Sequence, residues 1–216
     1  MSRKVFDRLA SFIGLGLTLV LLVAGGLMIW GHNYATSNVH NQLATQQIFF
    51  PSKAEVAAVK HQYATTGKTT DPEFPNRAMV PHIAKYAGQQ VLTGQQAETY
   101  ADWFIGQHLA AMPYGGVYSK VSTAARAAKP GSAQAAKLTA LEGTVFQGTT
   151  LRGMLLEAYA FGTIGVVMLW GAIASFILAG LMALLTALGF RHAAIVNEDE
   201  QLGRHASSAD LIPSGI

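Results

Sequence analysis

The hydrophobic residues of this chain are concentrated in two long runs, which are separated by a polar segment. Residues 9–30 (LASFIGLGLTLVLLVAGGLMIW) form the first run, and residues 158–190 form the second without one charged side chain. A helix crosses a hydrocarbon core of about 30 Å with about 20 apolar residues. Each run therefore predicts one transmembrane helix, because a hairpin would need roughly 40 apolar residues and a turn signal that the second run lacks.

The second run is longer than one crossing requires, and a tryptophan locates the crossing within it. Counting back about 21 residues from Arg191, at about 1.5 Å each, leads to Trp170. Tryptophan is typical of the interface between lipid and water, and Trp30 closes the first run in the same way. We therefore expect the crossing to start at about residue 170 and residues 158–169 to stand roughly 18 Å above the membrane, covered by the polar segment. The alternative is a strongly tilted helix.

Basic residues at the flanks predict the orientation of the two spans. Three precede the first run and two follow the second, whereas residues 32–52 carry no Lys or Arg. Basic flanks remain in the cytoplasm, so both termini are predicted to be cytoplasmic and residues 31–157 to be extracytoplasmic. The flanking residues are Arg3, Lys4, Arg8, Arg191 and Arg204.

The first run also fits a secretory signal, whose basic start looks the same. A signal core has about 7 to 15 apolar residues and ends at small residues spaced as in Ala-x-Ala. Residues 9–30 are longer than such a core, and the following His32-Asn33-Tyr34-Ala35 is a poor cleavage site. The sequence therefore favours an uncleaved anchor.

The polar segment is predicted to form helices joined by loops. Ser52 with Glu55, and Thr93 with Gln96, have the spacing of a capping box at a helix start. Residues 65–75, rich in Thr, Pro and Gly, indicate a loop, and no apolar and polar alternation predicts a strand. The predicted helices cover residues 52–64, 77–90, 94–111 and 118–128, and a last one runs from residue 132 into the second span.

The sequence therefore predicts an all-α protein of the inner (plasma) membrane, with two transmembrane helices flanking an extracytoplasmic helical domain. The acidic run at residues 197–200 and the serines after it are typical of a solvated, disordered end. The predicted divisions are residues 1–8 for the cytoplasmic N-terminus, 9–30 for the first span, 31–157 for the outer domain, 158–190 for the long apolar helix and 191–216 for the cytoplasmic tail.

Composition supports a membrane protein and excludes several classes of binding and catalytic site. The chain is 50% hydrophobic and 12% charged, about half the usual charged fraction. Its net charge is +3, but Lys and Arg are scattered rather than gathered into a stripe, so no nucleic-acid partner is expected. The absence of Cys excludes disulfides, thiolate metal ligands and cysteine nucleophiles. No H-E-x-x-H or G-x-S-x-G motif predicts a hydrolase, and no catalytic, metal or cofactor site is predicted.

Small residues recur at every fourth position of the second run, namely Gly171, Ser175, Ala179, Ala183 and Ala187. Such stripes let membrane helices approach closely. Besides the lipid bilayer, we expect this face to contact the first span, a second copy of the chain or another membrane protein. The plain alternative is the ordinary use of Gly and Ala in membrane helices.

Two groups of residues in and after the polar segment are candidates for contacts. Tyr86, Tyr100, His108 and Tyr118 lie around the third predicted helix, where aromatic rings build either a core or a shallow site for a lipid headgroup or partner. His108 itself lies on an apolar face and is more typical of a hydrogen-bonded core histidine than of a metal ligand. Arg152 and Phe161 are predicted to form the joint between the outer domain and the membrane helix.

Four stretches carry a resemblance to a known family: YAGQQV (86–91), AETYADWFIGQHL (97–109), GGVYSKVS (115–122) and VFQGTTLRGMLLEAYAFGTIG (145–165). With them the chain resembles a family of actinobacterial two-span membrane proteins of unknown function. Many members carry the label aromatic ring-opening dioxygenase LigA. The resemblance implies an anchor, an outer helical segment and a second anchor.

That label implies ferrous iron held by two histidines and a carboxylate, with open positions for substrate. His82, Glu98 and His108 are the candidate ligands, but their spacing does not place them around one ion. We therefore predict a non-enzymatic integral membrane protein of the cell envelope, acting as an accessory or interaction protein. The alternatives are a membrane-tethered iron enzyme and a lipid-binding envelope module.

Overall fold

The computed structural model describes residues 3–195, and this part of the chain is built from helices. It contains no strand and only one isolated antiparallel bridge, between Phe49 and Gln90. The all-α prediction is confirmed. The helices are α1 (Arg3–Gln46), α2 (Lys53–Thr66), α3 (Val80–Ala84), α4 (Gly94–Thr99), α5 (Gly106–Ala111), α6 (Tyr118–Ala127) and α7 (Ala133–Ile195), together with 3₁₀ segments at Arg77–Met79 and Pro113–Gly116 and a π-helical turn at Tyr100–Ile105.

Two helices, α1 and α7, are long and apolar enough to cross a membrane. Their most apolar stretches have mean hydropathies of 2.5 and 2.2, and only 17% and 22% of these stretches are buried within the chain. The core helix of a soluble protein would be mostly buried. The apolar side chains of α1 and α7 are largely exposed instead, as Val20 and Leu27 are in α1, which indicates membrane association.

Both long helices extend beyond the apolar runs. Although the chain becomes polar after Trp30, α1 continues to Gln46, which the sequence did not predict. α7 begins at Ala133, as predicted, and its internal glycines do not interrupt it. Residues 191–195 are still helical, whereas the predicted disorder of residues 196–216 falls outside the described part of the chain.

The predicted capping boxes start two helices of the polar segment. Ser52 Oγ accepts from the Glu55 N–H, and the Glu55 carboxylate accepts from the Ser52 N–H at 2.6 Å. Thr93 and Gln96 make the corresponding pair of bonds at the start of α4. Each box satisfies N–H groups that the first helical turn leaves without a partner.

The predicted helix at residues 77–90 is shorter in the structure. α3 ends at Ala84, and the chain then turns through Gly88, whose φ of +74° suits a glycine. The N–H groups of Gly88 and Val91 donate to the carbonyls of Pro51 and Ile48, both at 2.8 Å. These backbone bonds to the segment after α1 replace the expected helical ones.

The chain divides into two compact units. The two-helix unit comprises Met1–Trp30 and Met168–Ile216, and the central unit comprises Gly31–Val167. The division falls beside the two tryptophans from which the sequence located the ends of the spans. In the central unit, the Tyr63 hydroxyl donates to the Phe74 carbonyl at 2.8 Å within the core. The fully buried core side chains are Val59, Phe74, Met79, Ile83, Val91, Val121, Val145 and Leu155.

In the two-helix unit, α1 and α7 run antiparallel and meet along a seam of small and weakly polar residues. Its buried positions are spaced three and four residues apart, such as 172, 175 and 179 in α7. An average spacing of about 3.5 is typical of helices that wrap around each other with a left-handed twist. The seam consists of Ser11, Gly14, Thr18 and Gly25 in α1 and of Ala172, Ser175, Ala179, Thr186 and Gly189 in α7.

The predicted small-residue stripe coincides with this seam only in part. Gly171 lies against Met28, and Ser175 Oγ donates to the Leu21 carbonyl at 2.7 Å. Ala183 and Ala187 are exposed. A repeat of four rotates by about 40° per step around a helix of 3.6 residues per turn, so the stripe leaves the seam within a few steps. Gly171 and Ser175 thus contact the first span, which was one of the predicted alternatives. Contact of this face with a second copy or another membrane protein stays a prediction.

Gly25 and its neighbour Gly26 provide a matched test of the seam. A Cβ on Gly25 would lie 2.9 Å from the Phe176 ring, whereas a Cβ on Gly26 would meet nothing within 4 Å. We expect Gly25→Val to lower the thermal unfolding midpoint of the detergent-solubilised protein, measured by circular dichroism. Gly26→Val carries the same β-branch on the same helix and should leave the midpoint close to that of the wild type; equal effects would contradict the seam.

Candidate functional site

Five aromatic rings form a continuous row in the central unit. Phe50, almost fully buried, lies 5.4 Å from the rings of both Tyr86 and Tyr100. Tyr100 stacks on Phe104 at 4.7 Å, and Phe104 lies 4.6 Å from His108. Three of the four residues predicted as an interaction surface are therefore brought together. All three are half-buried, and Tyr86 and Tyr100 pack against the core, so the row stabilises the unit.

His108 has the hydrogen bond expected of a structural histidine. Its Nδ1 lies 2.7 Å from the carbonyl oxygen of Phe104. A carbonyl can only accept, so Nδ1 carries the hydrogen and Nε2 is the nitrogen left for other partners. The sequence predicted this role.

Tyr100 has a strongly perturbed hydroxyl. Burial raises its pKa from 10.0 to about 12, and the negative charge of Glu73 adds to the increase. Both effects disfavour the phenolate. Tyr100 is thus held neutral as a ring of the row.

Tyr118, the fourth predicted interaction residue, lies in a different place. It contacts the ring of Phe146 at 5.9 Å, and the two side chains are 43% and 57% exposed. We call Tyr118 and Phe146 the exposed aromatic patch. Tyr114 is 45% exposed and has a φ of +59°, which is uncommon for a residue other than glycine. The Gly115-Gly116 pair that follows is the sequence signal for this turn.

An ion pair joins the third predicted helix to α7. Asp102 Oδ1 lies 2.7 Å from Arg152 Nη2, and both side chains are about 40% exposed. Such solvated pairs stabilise a protein by about 1 kcal/mol or less. Arg152 Nε is buried without a hydrogen-bond partner among the described residues. The pair lines a cleft of about 460 Å³ with Trp103, Gln107 and Thr149.

A π-helical turn sets the position of Asp102 within this pair. The turn spans Tyr100–Ile105, between α4 and α5, and ends where Gly106 approaches α7. A Cβ on Gly106 would lie 3.2 Å from the Ala101 carbonyl oxygen and 3.6 Å from Arg152 Nε. Inserting such a turn rotates the residues after it relative to an ordinary α-helix. Neither the turn nor the ion pair was predicted, because both depend on packing against a distant part of the chain.

The candidate iron ligands are not brought together. His82 stacks on Trp103 at 3.6 Å with the rings nearly parallel. Glu98 and His108 lie ten residues apart on one continuous helical segment, a rise of about 15 Å. Among residues 3–195, no three His, Asp or Glu side chains are grouped so that they could hold a metal ion.

The predicted joint consists of two residues with different surroundings. Arg152 binds Asp102 inside the central unit, as described above. Phe161 belongs to the same unit and is 52% exposed. The joint itself stays a prediction.

A second, larger groove lies in the central unit near the end of its α7 segment. Its volume is about 770 Å³. Three segments form its walls: residues 36–41 of α1, residues 92–95 at the start of α4, and residues 159–166 of α7. The groove could not be predicted from the sequence, because its walls are distant in the chain.

No protein-family model, curated protein sequence or solved structure matches this chain. The family resemblance inferred from the sequence therefore stays a prediction.

Tyr100 gives a test of the aromatic row through pH. Because its pKa is raised in the folded protein, the neutral phenol contributes stability fully below about pH 10, and this contribution is lost as the pH rises towards 12. Tyr100→Phe cannot ionise and should move the midpoint of alkaline unfolding to higher pH. The exposed Tyr118 serves as control, and a similar shift for Tyr118→Phe would mean that Tyr100 has no special environment.

Proposed function

We propose that the protein is a non-enzymatic integral membrane protein of the cell envelope that acts as an accessory or interaction protein. The observation that carries this proposal is the exposure of the apolar faces of α1 and α7, since a bilayer is the solvent in which such faces are stable. Between the spans, the central unit has its own buried core.

Charge supports an extracytoplasmic position for the central unit, with both termini in the cytoplasm. The first span is preceded by three basic residues, and no Lys or Arg follows it until Lys53. Arg191 follows the second span. Short basic flanks are retained on the cytoplasmic side of a membrane.

The chemistry of the central unit favours binding over catalysis. His82 and His108 are engaged by Trp103 and by the Phe104 carbonyl, and Asp102 is engaged by Arg152. The iron-enzyme alternative needs His82, Glu98 and His108 around one ion, and their arrangement gives it no support.

The exposed aromatic patch is the surface that we assign to a protein partner. The rings of Tyr118 and Phe146 are exposed to solvent. Polar side chains at these positions would not weaken the core, to which neither ring belongs. Tyrosine and phenylalanine are enriched where proteins bind each other. The unusual backbone of Tyr114 next to them is the kind of local strain found at functional surfaces.

Cysteine labelling tests the topology directly, because the chain has no native Cys. In intact cells, Lys120→Cys should react with a membrane-impermeant maleimide, whereas Arg8→Cys should react only after the membrane is permeabilised. Both positions are exposed in the structure, so access to solvent is matched. Labelling of Lys120→Cys only after permeabilisation would overturn the proposed orientation.

A photo-crosslinker attached to single cysteines tests the partner surface. We expect Phe146→Cys to give a discrete adduct in living cells, identified by mass spectrometry. Met154→Cys lies on the same helix and is equally exposed, at 55% against 57% for Phe146. Adducts of the same proteins from both positions would show that the patch is not a specific surface.

A further inference from the structure

We propose that the groove between α1, the start of α4 and α7 binds an acyl chain of a membrane lipid. The inference deepens the proposed function, since it rests on the protein being inserted in a bilayer. It assigns a ligand class to a site of about 770 Å³. Three properties of the groove support this proposal: its construction, its lining and its place along the chain.

Glycines in α7 build the groove. A Cβ on Gly162 would lie 3.2 Å from the Gly94 Cα, so α7 and the start of α4 touch backbone to backbone. One turn later, a Cβ on Gly165 would lie 3.2 Å from the Thr36 side chain of α1. His32 Nδ1 lies 2.8 Å from the carbonyl oxygen of Gly165 and fixes the second contact. The groove lies between these close contacts, and its walls are therefore held in place.

The lining excludes a strongly charged ligand. Within residues 3–195, the lining contains no Asp, Glu, Lys or Arg, and its ionisable side chains are His40 and Tyr159. Its surface is mostly apolar, with Val39, Leu92 and Val166 among the lining residues. The smaller cleft, in contrast, is lined by the Asp102–Arg152 pair. A long uncharged hydrocarbon matches a groove whose surface is mostly apolar and whose polar side chains are mainly uncharged hydroxyls and amides.

Along α1 and α7, the groove lies only a few residues from the predicted membrane spans. Lipid acyl chains are therefore the most readily available hydrocarbon ligand. Along α7, Val166 at one end of the groove precedes Trp170, where we expect the crossing to start, by four residues or a helical rise of about 6 Å. On α1, the groove begins at Thr36, six residues or about 9 Å after Trp30. On each helix the groove therefore begins within a rise of about 10 Å along the chain from the tryptophan at which we expect the crossing to start.

Because no Lys or Arg of the described part of the chain lines the groove, recognition should depend on the acyl chain rather than on headgroup charge. Anionic and zwitterionic phospholipids with the same tails should therefore bind equally well. Binding should also be insensitive to salt, since screening acts on exposed charges.

Photolabelling tests the assignment in the full-length protein reconstituted in nanodiscs. The probe is a phosphatidylcholine with a diazirine in one acyl chain, and labelled peptides are mapped by mass spectrometry. Thr163→Phe fills the groove from an exposed position of α7. We expect it to reduce labelling of residues 36–41 and 92–95 by about tenfold, the ratio that corresponds to about 1.4 kcal/mol of binding free energy.

The matched control is Thr144→Phe. Thr144 and Thr163 are both exposed on α7, and each hydroxyl donates to the carbonyl four residues earlier, but Thr144 does not line the groove. Thr144→Phe should be labelled like the wild type. Repeating the experiment with a phosphatidylglycerol probe should give the same pattern.

The outcomes separate the two proposals. Labelling of residues 9–30 and 170–190 without labelling of residues 36–41 and 92–95 would overturn the lipid assignment and leave the membrane protein standing. Groove labelling that survives Thr163→Phe would also overturn it, because a second copy or general lipid contact would then explain the signal. Absence of labelling at residues 9–30 and 170–190 would overturn membrane insertion itself.

Discussion

The close approach of α1 to α7 in the two-helix unit depends on a small residue on at least one side of each contact. Gly25 receives the Phe176 ring, and Ser175 reaches the Leu21 carbonyl only because the backbones are near. Helices in lipid gain little from burying apolar surface, so close packing and hydrogen bonds hold them together. The large apolar side chains can then face outward, where a bilayer would solvate them.

The small residues of α7 have another consequence in the central unit. Gly162 and Gly165 let the start of α4 and the second half of α1 come within contact distance of the helix backbone. Contacts made at two such points leave space between them, and the larger groove occupies this space. Small residues in α7 thus give a tight seam in one unit and a groove in the other, because in the central unit they face two different segments.

Most of the polar side chains that suggested chemistry are used to hold the central unit together. Asp102 and Arg152 connect the π-helical turn to α7, His108 bonds to its own helix, and His82 stacks on Trp103. The features without such internal partners are of another kind, namely an apolar groove and exposed aromatic rings. This contrast is the basis on which we propose binding of lipid and protein.

The sequence by itself determined the features that depend on neighbours along the chain. Runs of apolar residues predict α1 and α7, and the spacing of Ser52 with Glu55 and of Thr93 with Gln96 predicts two helix starts. Only the tertiary structure decided what depends on distant residues. Backbone bonds to Pro51 and Ile48 shorten the helix predicted at residues 77–90, and Arg152 gives Asp102 its partner. Burial in the seam follows a spacing of about 3.5 rather than the stripe of four, because helices that wrap around each other set that repeat between them.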